Sequence, residues 1–309
     1  MTLSTTSRAD PSKLPPEVGY NYGQTEAPRT AGMGGALRAF SNSTDALFMN
    51  PANMATSRVY HLAGMAQIWP EAGRQTYGAA IVDSIVSASR LAGGLAASWT
   101  GQDPSGIDRS DFDVRFALAF PLSDRFFLGA TGRYLSLKQN GYPKGLYDLA
   151  PSLASGGEHG GTISQGITFD AGATFKPIDE IAISVVGSNL TNPATSFLPL
   201  MFGGGIGVGT ADVTVEADVL GDFTTYGSSK LRAMLGGEYL AADHVPLRLG
   251  YRYDQGQMSH TVTGGLGYID SAYAIDFSVQ RSVSGPSATA IIFGFQYHVE
   301  SGGSLTPEE

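Results

Sequence analysis

From about residue 58 onward the chain runs in blocks of about ten residues in which apolar and polar side chains alternate, with turn residues between the blocks. In Tyr273–Gln280, Tyr273, Ile275, Phe277 and Val279 take one face, while Ala274, Asp276, Ser278 and Gln280 take the other. In the last block Ile291, Phe293, Phe295, Tyr297 and Val299 alternate with Ala290, Ile292, Gly294, Gln296 and His298. Phe112, Val114, Phe116, Leu118 and Phe120 interleave in the same way with Asp113, Arg115, Ala117 and Ala119. A helix repeats every 3.6 residues and a strand every 2, so these blocks read as strands. Large apolar side chains on one face and charge on the other suit a wall between lipid and a polar lumen. A soluble barrel or sandwich with aromatic residues at its core ends is the alternative.

Placed along the chain, the blocks predict about fourteen strands, beginning near residues 58, 75, 91, 110, 125, 166, 180, 200, 212, 230, 245, 258, 272 and 287. The expected fold is all-β, a transmembrane antiparallel barrel of about fourteen strands. With a periplasmic N-terminus the longer connections, 101–109, 139–165, 189–199 and 221–229, face outward. The short turns 121–125, 176–180, 210–212 and 270–272 face the periplasm. Aromatic residues collect at strand ends, where amphipathic rings favour the membrane interface. Phe120, Phe175, Tyr239, Tyr268, Tyr273 and Tyr297 form the expected periplasmic girdle, and Trp69, Trp99, Phe112, Tyr251 and Tyr253 the outer one.

Composition agrees with a closed wall more readily than with a soluble core. Glycine occurs 41 times, charged residues make up only 15%, and a hydrophobic fraction of 42% yields a mean hydropathy of -0.03. Strands bend at glycine, and small side chains suit a crowded inner wall. No apolar stretch is long enough for a transmembrane helix; the nearest, Gly78–Trp99, is broken by Asp83 and Arg90. A net charge of -9, with no Lys/Arg cluster, argues against nucleic acid. The absence of cysteine removes disulfides, thiolate metal sites and cysteine nucleophiles together. Residues 1–28 are polar and proline-rich without the apolar core of an export signal, so such a signal is expected to have been removed ahead of them.

The inward face carries Arg115, Arg133, Arg232, Arg248 and Arg252 together with Asp113, Asp170, Glu216, Asp218, Glu238 and Asp276. Nearly balanced signs suggest a paired luminal network rather than an ion-selective pore.

Ahead of the strands lies the stretch Arg29–Ala55, RTAGMGGALRAFSNSTDALFMNPANMA. Gly32, Gly34 and Gly35 permit a tight turn and close approach, Leu37, Ala46, Leu47 and Met49 supply short apolar faces, and Asn50 before Pro51 reads as a turn. No βαβ unit surrounds these glycines, and GGGIGVG at 203–209 lies within a strand, so neither reads as a nucleotide site.

Here the sequence resembles the outer-membrane FadL superfamily, which includes the long-chain fatty-acid transporters and the PorV/PorQ-like proteins. Gly32, Met33 and Gly34, followed by Gly35, match its Gly-Met-Gly element; Asn50, Pro51 and Ala52 match its Asn-Pro-Ala. The resemblance implies a fourteen-strand barrel with this segment as an N-terminal hatch. It divides the chain into a polar extension (1–28), a hatch (29–56), a barrel (57–300) and a periplasmic tail (301–309). It also implies a kinked, laterally open third strand, for which Gly93 and Gly94 are the candidates; the alternative is that they make room for hatch side chains. A chain shorter than the fatty-acid transporters favours the PorV/PorQ-like branch.

Catalytic chemistry finds no support. His61, His159, His244, His260 and His298 are scattered, no metal spacing or G-x-S-x-G elbow appears, and neither cofactor nor enzyme activity is expected. Two functions fit a plugged outer-membrane barrel in contact with lipid. The first is passive transport or binding of small hydrophobic molecules, with Tyr142, Tyr147, Leu149, Leu153, Phe197, Leu198, Leu200 and Met201 lining an apolar mouth. The second is a scaffold or carrier that binds a protein partner of an envelope secretion or motility complex through outer loops or the polar tails.

Overall fold

The computed structural model describes residues 25–85, 91–103, 108–140, 162–192, 198–285 and 287–299. Fourteen strands follow in chain order: β1 (Tyr60–Trp69), β2 (Arg74–Asp83), β3 (Ala92–Gln102), β4 (Arg109–Pro121), β5 (Phe126–Gln139), β6 (Thr162–Ile178) and β7 (Ile181–Ser188) form the first half. The second half is β8 (Met201–Gly209), β9 (Val213–Asp222), β10 (Lys230–Ala241), β11 (Val245–Asp254), β12 (Ser259–Ile269), β13 (Tyr273–Ser284) and β14 (Thr289–His298). Each pairs antiparallel with its neighbours in sequence, and β1 pairs with β14 to close the barrel. The period-2 reading therefore located all fourteen, the largest displacement being β6, which begins at Thr162 rather than near 166.

Alternation along each strand sorts side chains between two media. On β4, Phe112, Phe116, Leu118 and Phe120 are exposed on the outside, while Asp113, Arg115, Ala117 and Ala119 are buried inside. The same sorting leaves Leu235, Leu249, Leu266, Ile275 and Phe293 on the outer wall, with Glu216, Asp218, Arg248 and Arg252 enclosed. An apolar outside around a charged inside inverts a soluble protein, and it gives the outer surface to lipid. At the end where β1 begins and β14 ends, here the terminal end, the outward rings of Tyr268, Tyr273 and Phe295 lie in sequence at 6.1 and 6.4 Å. At the opposite, loop end, Tyr77 stacks on Trp99 at 6.3 Å, and Tyr251 and Tyr253 surround His260.

Three expectations change. Trp69 does not belong to the outer girdle: Ile68 beside it points outward, so Trp69 faces the lumen and packs with Ala31, Ala290 and Ile292. The kink at Gly93 and Gly94 is absent, because β3 keeps an unbroken register with both β2 and β4 through these residues. Gly94 instead faces inward, where a Cβ would come within 2.7 Å of Leu47 and 3.0 Å of Met54 Sδ; Gly93 faces outward, where a Cβ would meet Leu118 at an ordinary 3.8 Å. Of the apolar mouth, Leu198 and Met201 are buried, Met201 against Tyr226, while Leu200 is half-buried with its N–H donating to Thr224 Oγ1 at 2.9 Å. Tyr142, Tyr147, Leu149, Leu153 and Phe197 lie outside the described residues, as do 1–24, 300–309 and His159.

The wall is lowest at β7 and β8. β6 pairs with β5 over nearly its whole length but with β7 only from Ala171 to Ile178. Beyond it the chain turns away at Asn189, whose positive φ of 56° suits asparagine.

Leu249, 75% exposed at the middle of β11, tests which medium covers the wall. In a barrel folded into lipid vesicles, Leu249→Arg is expected to cost about 2–4 kcal/mol and to lower the urea midpoint. A change within about 0.5 kcal/mol, normal for a water-exposed position, would remove the lipid-facing assignment.

Candidate functional site: the plugged lumen

Residues 25–56 lie inside the barrel. They form two short helices, α1 (Pro28–Gly32) and α2 (Ser43–Met49), then a 3-10 turn, Pro51–Ala55. Pro28 and Pro51 start their elements where a missing N–H costs nothing. α1 rests on β11–β14, α2 on β1–β3 and the 3-10 turn on β3–β6, so the segment spans the lumen. Ala31, Met33, Ala36, Leu37 and Ala52 are completely buried. The 3-10 turn sits against Gly129 and Gly172, where a Cβ would collide with Ala52 and Asn50.

The glycine motif produces the turn that brings this segment onto the wall. Gly34 (φ 69°) and Gly35 (φ 87°) are left-handed. A Cβ on Gly34 would also lie 2.7 Å from the Tyr251 backbone nitrogen of β11. Past the turn, four consecutive backbone N–H groups point at two carboxylates of β9. Leu37 and Arg38 donate to Asp218 at 3.0 and 3.1 Å; Ala39 and Phe40 donate to Glu216 at 2.6 and 2.9 Å. Arg38 adds an ion pair to Asp218 at 2.9 Å. Residues two apart on a strand share a face, which is why positions 216 and 218 can grip one extended stretch. Asn50 and Asn53 close the segment on itself: each donates to Arg38 O at 2.9 Å, and Asn50 also donates to Thr174 Oγ1 at 2.8 Å on β6.

All eleven charged residues expected on the inward face lie there, buried or half-buried, but they fall into distinct groups. Arg252 binds Glu26 at 2.6 Å and donates to Gly34 O at 2.9 Å. Burial alone would raise the Glu26 carboxyl, yet the Arg252 guanidinium and the Gln280 amide hold it below its ordinary value. Glu238 bridges Arg29 at 2.8 Å and Arg248 at 2.6 Å, and Arg248 also binds Asp276. Arg115, Arg133 and Asp113 form a wall triad, with Arg133 2.5 Å and Arg115 3.1 Å from Asp113. Asp170 accepts the Asn189 N–H at 2.7 Å, and Arg232 pairs with Asp254 at 3.1 Å. The plug's own charges, Glu26, Arg29, Arg38 and Asp45, were missed in the sequence. The signal available was an unmatched pair of arginines flanking the glycine motif, which a buried segment must neutralise.

A cavity of about 330 Å³ lies at the terminal end between the plug and the wall. Phe48, Val59, Ala63, Met65 and Ala274 give it apolar sides, and Asp45, His61, His298 and Glu238 a polar end. His61 and His298, scattered in sequence, meet across the β1–β14 seam with ring centroids 4.3 Å apart. Ser43 Oγ and Gln296 Nε2 lie 2.6 and 2.8 Å from His61 Nδ1. Only counting the barrel closed in advance would have paired them. The arrangement offers an apolar niche edged by hydrogen-bonding groups.

No protein-family model and no curated protein matches the sequence. Solved structures do match. The toluene transporter TbuX of Ralstonia pickettii superposes with a TM-score of 0.65 at 16% identity, covering 91% of this chain and 100% of that one. The toluene transporter TodX of Pseudomonas putida gives 0.62 at 14%, covering 89% and 98%. A FadL homologue from Pseudomonas aeruginosa gives 0.57 at 16%, covering 88% and 97%. Two of these three proteins are named as toluene transporters, and none of the three is a PorV/PorQ-like protein by name. At such identities the likeness is one of fold, and together with the lipid-facing wall it describes this chain as a transmembrane β-barrel with the fold of these proteins.

Proposed function

We propose that the barrel passively carries small hydrophobic molecules across the outer membrane, with residues 25–56 acting as its hatch. The observation that carries this reading is the partly filled lumen, in which a niche with apolar sides lies between the plug and the wall at the terminal end, the periplasmic end in this reading. Similarity to transporters named for toluene supports the substrate class.

The attachment of the hatch suits a movable part. It adds no strand to the barrel, whose ladder is complete without it. Side chains hold it instead, chiefly the Glu216/Asp218 grip, the Arg252 bond to Gly34 O and the Glu238 bridge to Arg29. A charge-assisted hydrogen bond contributes roughly 1.5–3 kcal/mol, so a few of them fix a segment that the wall does not need for its own stability.

Whole cells expressing the barrel are expected to take up labelled toluene faster than cells without it; equal rates would reject the reading. Filling the niche with Met65→Trp is expected to slow that uptake several-fold while the barrel stays folded by heat-modifiable gel migration. Planar bilayers supply a separate check on the hatch. The wild-type barrel should conduct ions poorly, and the double variant Glu216→Gln/Asp218→Asn should leak, because the amide groups then face neutral partners instead of carboxylates. A wild-type barrel that already passes small polar solutes freely would be a general porin.

A further inference from the structure

Asp45 is the one charged side chain of the plug for which the fold supplies no partner among the described residues. It is only 9% exposed, it lines the terminal cavity, and neither a hydrogen bond nor an ion pair reaches its carboxyl from any described residue. Its place in the first turn of α2 does not explain it. Asn42 at the N-cap makes no side-chain capping bond, and no helix amide donates to Asp45. Buried carboxyl groups are ordinarily hydrogen-bonded or paired.

The charges facing Asp45 sharpen the anomaly. Arg29 on α1 is committed to Glu238 of β10, and Arg248 of β11 to Glu238 and to Asp276 of β13. Two guanidinium groups therefore stand against three carboxylates, Asp45, Glu238 and Asp276, all lining one cavity. His61 of β1 and His298 of β14 complete the polar surroundings. Burial, with Asp276 and Glu238 nearby, pushes the Asp45 carboxyl up to about 6, against the opposing pull of Arg29 and Arg248. Above that pH the cavity carries one unneutralised negative charge beside apolar walls formed by Phe48, Val59 and Met65.

We infer that this cavity binds small hydrophobic molecules bearing a protonated amine, with the ammonium group on Asp45 and the hydrocarbon body against Phe48, Val59 and Met65. The inference rests on the reading of this cavity as the transport pocket and narrows it from apolar molecules in general to those with a cationic head. An ammonium donates to carboxylate oxygens and neutralises the surplus charge in one step, which a hydrocarbon does not do.

Benzylamine, benzyl alcohol and toluene share one ring and one carbon substituent and differ in the head group, so they separate the contributions. Calorimetric titration of the detergent-solubilised full chain near neutral pH is expected to show benzylamine binding about tenfold more tightly than the other two. Asp45→Asn should bring benzylamine down to the toluene level and leave toluene unchanged, with circular dichroism and gel migration confirming the fold. The benzylamine advantage should shrink as pH falls through about 6, because Asp45 loses its charge while the amine keeps its own. A pH response of the same size that persists in Asp45→Asn would overturn the inference. Benzyl alcohol binding as tightly as benzylamine would overturn the inference in favour of a neutral hydrogen-bond donor. Toluene uptake by cells without an amine advantage in binding would overturn it too and leave the transport reading standing. Loss of toluene uptake as well would take both down.

Discussion

A strand in hydrocarbon has no water to satisfy its edge, so every backbone N–H and C=O must be paired within the protein. For this chain that requirement is met by the β1–β14 seam, where His61 through Ile68 pair with His298 through Ile291. Everything else follows from that closure. Once the sheet is a ring, one face meets lipid all the way round and the other encloses a lumen, so alternation becomes a strict separation of apolar from polar side chains. A ring of fourteen strands encloses more space than its own inward side chains fill. The same closure that satisfies the wall thus creates an interior that needs a second occupant.

The occupant is the chain's own N-terminal segment, and the wall is shaped for it. Where the segment comes close, the inward residues are glycine or alanine: Gly94 under Leu47 and Met54, Gly129 and Gly172 under the Asn-Pro-Ala turn, and Gly236 and Gly250 under Met33. Glycine enrichment therefore reflects two surfaces brought into contact as much as strand bending. Ala92, Ala96, Ala117 and Ala119 play the same part beside Ala46, Leu47 and Met54, making one of several apolar patches in the interior. Elsewhere the segment meets carboxylates and guanidinium groups, which anchor it at particular points rather than over a continuous surface.

How much of this was legible in the sequence follows from which features are local. Strand positions were, because each side of the wall faces one uniform medium and a period of 2 survives along the whole barrel. The same parity, applied strictly, also places Trp69 inside next to the outward Ile68; reading it as a girdle residue used its position at a strand end and ignored its face. Gly93 and Gly94 were misleading for a related reason. Adjacent glycines on a strand face opposite ways, so Gly94 accommodates Leu47 while Gly93 lies beside Leu118 on the outer face, and no shared bend results. The plug itself has no period. Its positive-φ glycines and its Asn-Pro turn are visible one residue at a time, but the partners of Arg29 and Arg38 lie some two hundred positions along the chain, in Glu238 and Asp218. Nothing short of the closed barrel brings them together.

The manner of attachment follows from the ladder as well. Because each strand already has two neighbours, the wall has no spare backbone groups for an inserted segment except at β6 beyond Ala171, where β7 has ended. The segment's own N–H groups must therefore find acceptors on wall side chains, and carboxylates, each with two oxygens, are the efficient choice: Asp218 and Glu216 between them take four consecutive amides. Carboxylates enclosed in this way call for cations, and the arginines of both wall and plug supply them. Most of the luminal charge is thus a consequence of holding a plug inside a ring that has nothing else to offer. Asp45 stands outside this logic, since it grips no amide and the arginines that face it are committed to Glu238 and Asp276, and a group that the scaffold does not need is where a ligand's contribution is to be sought.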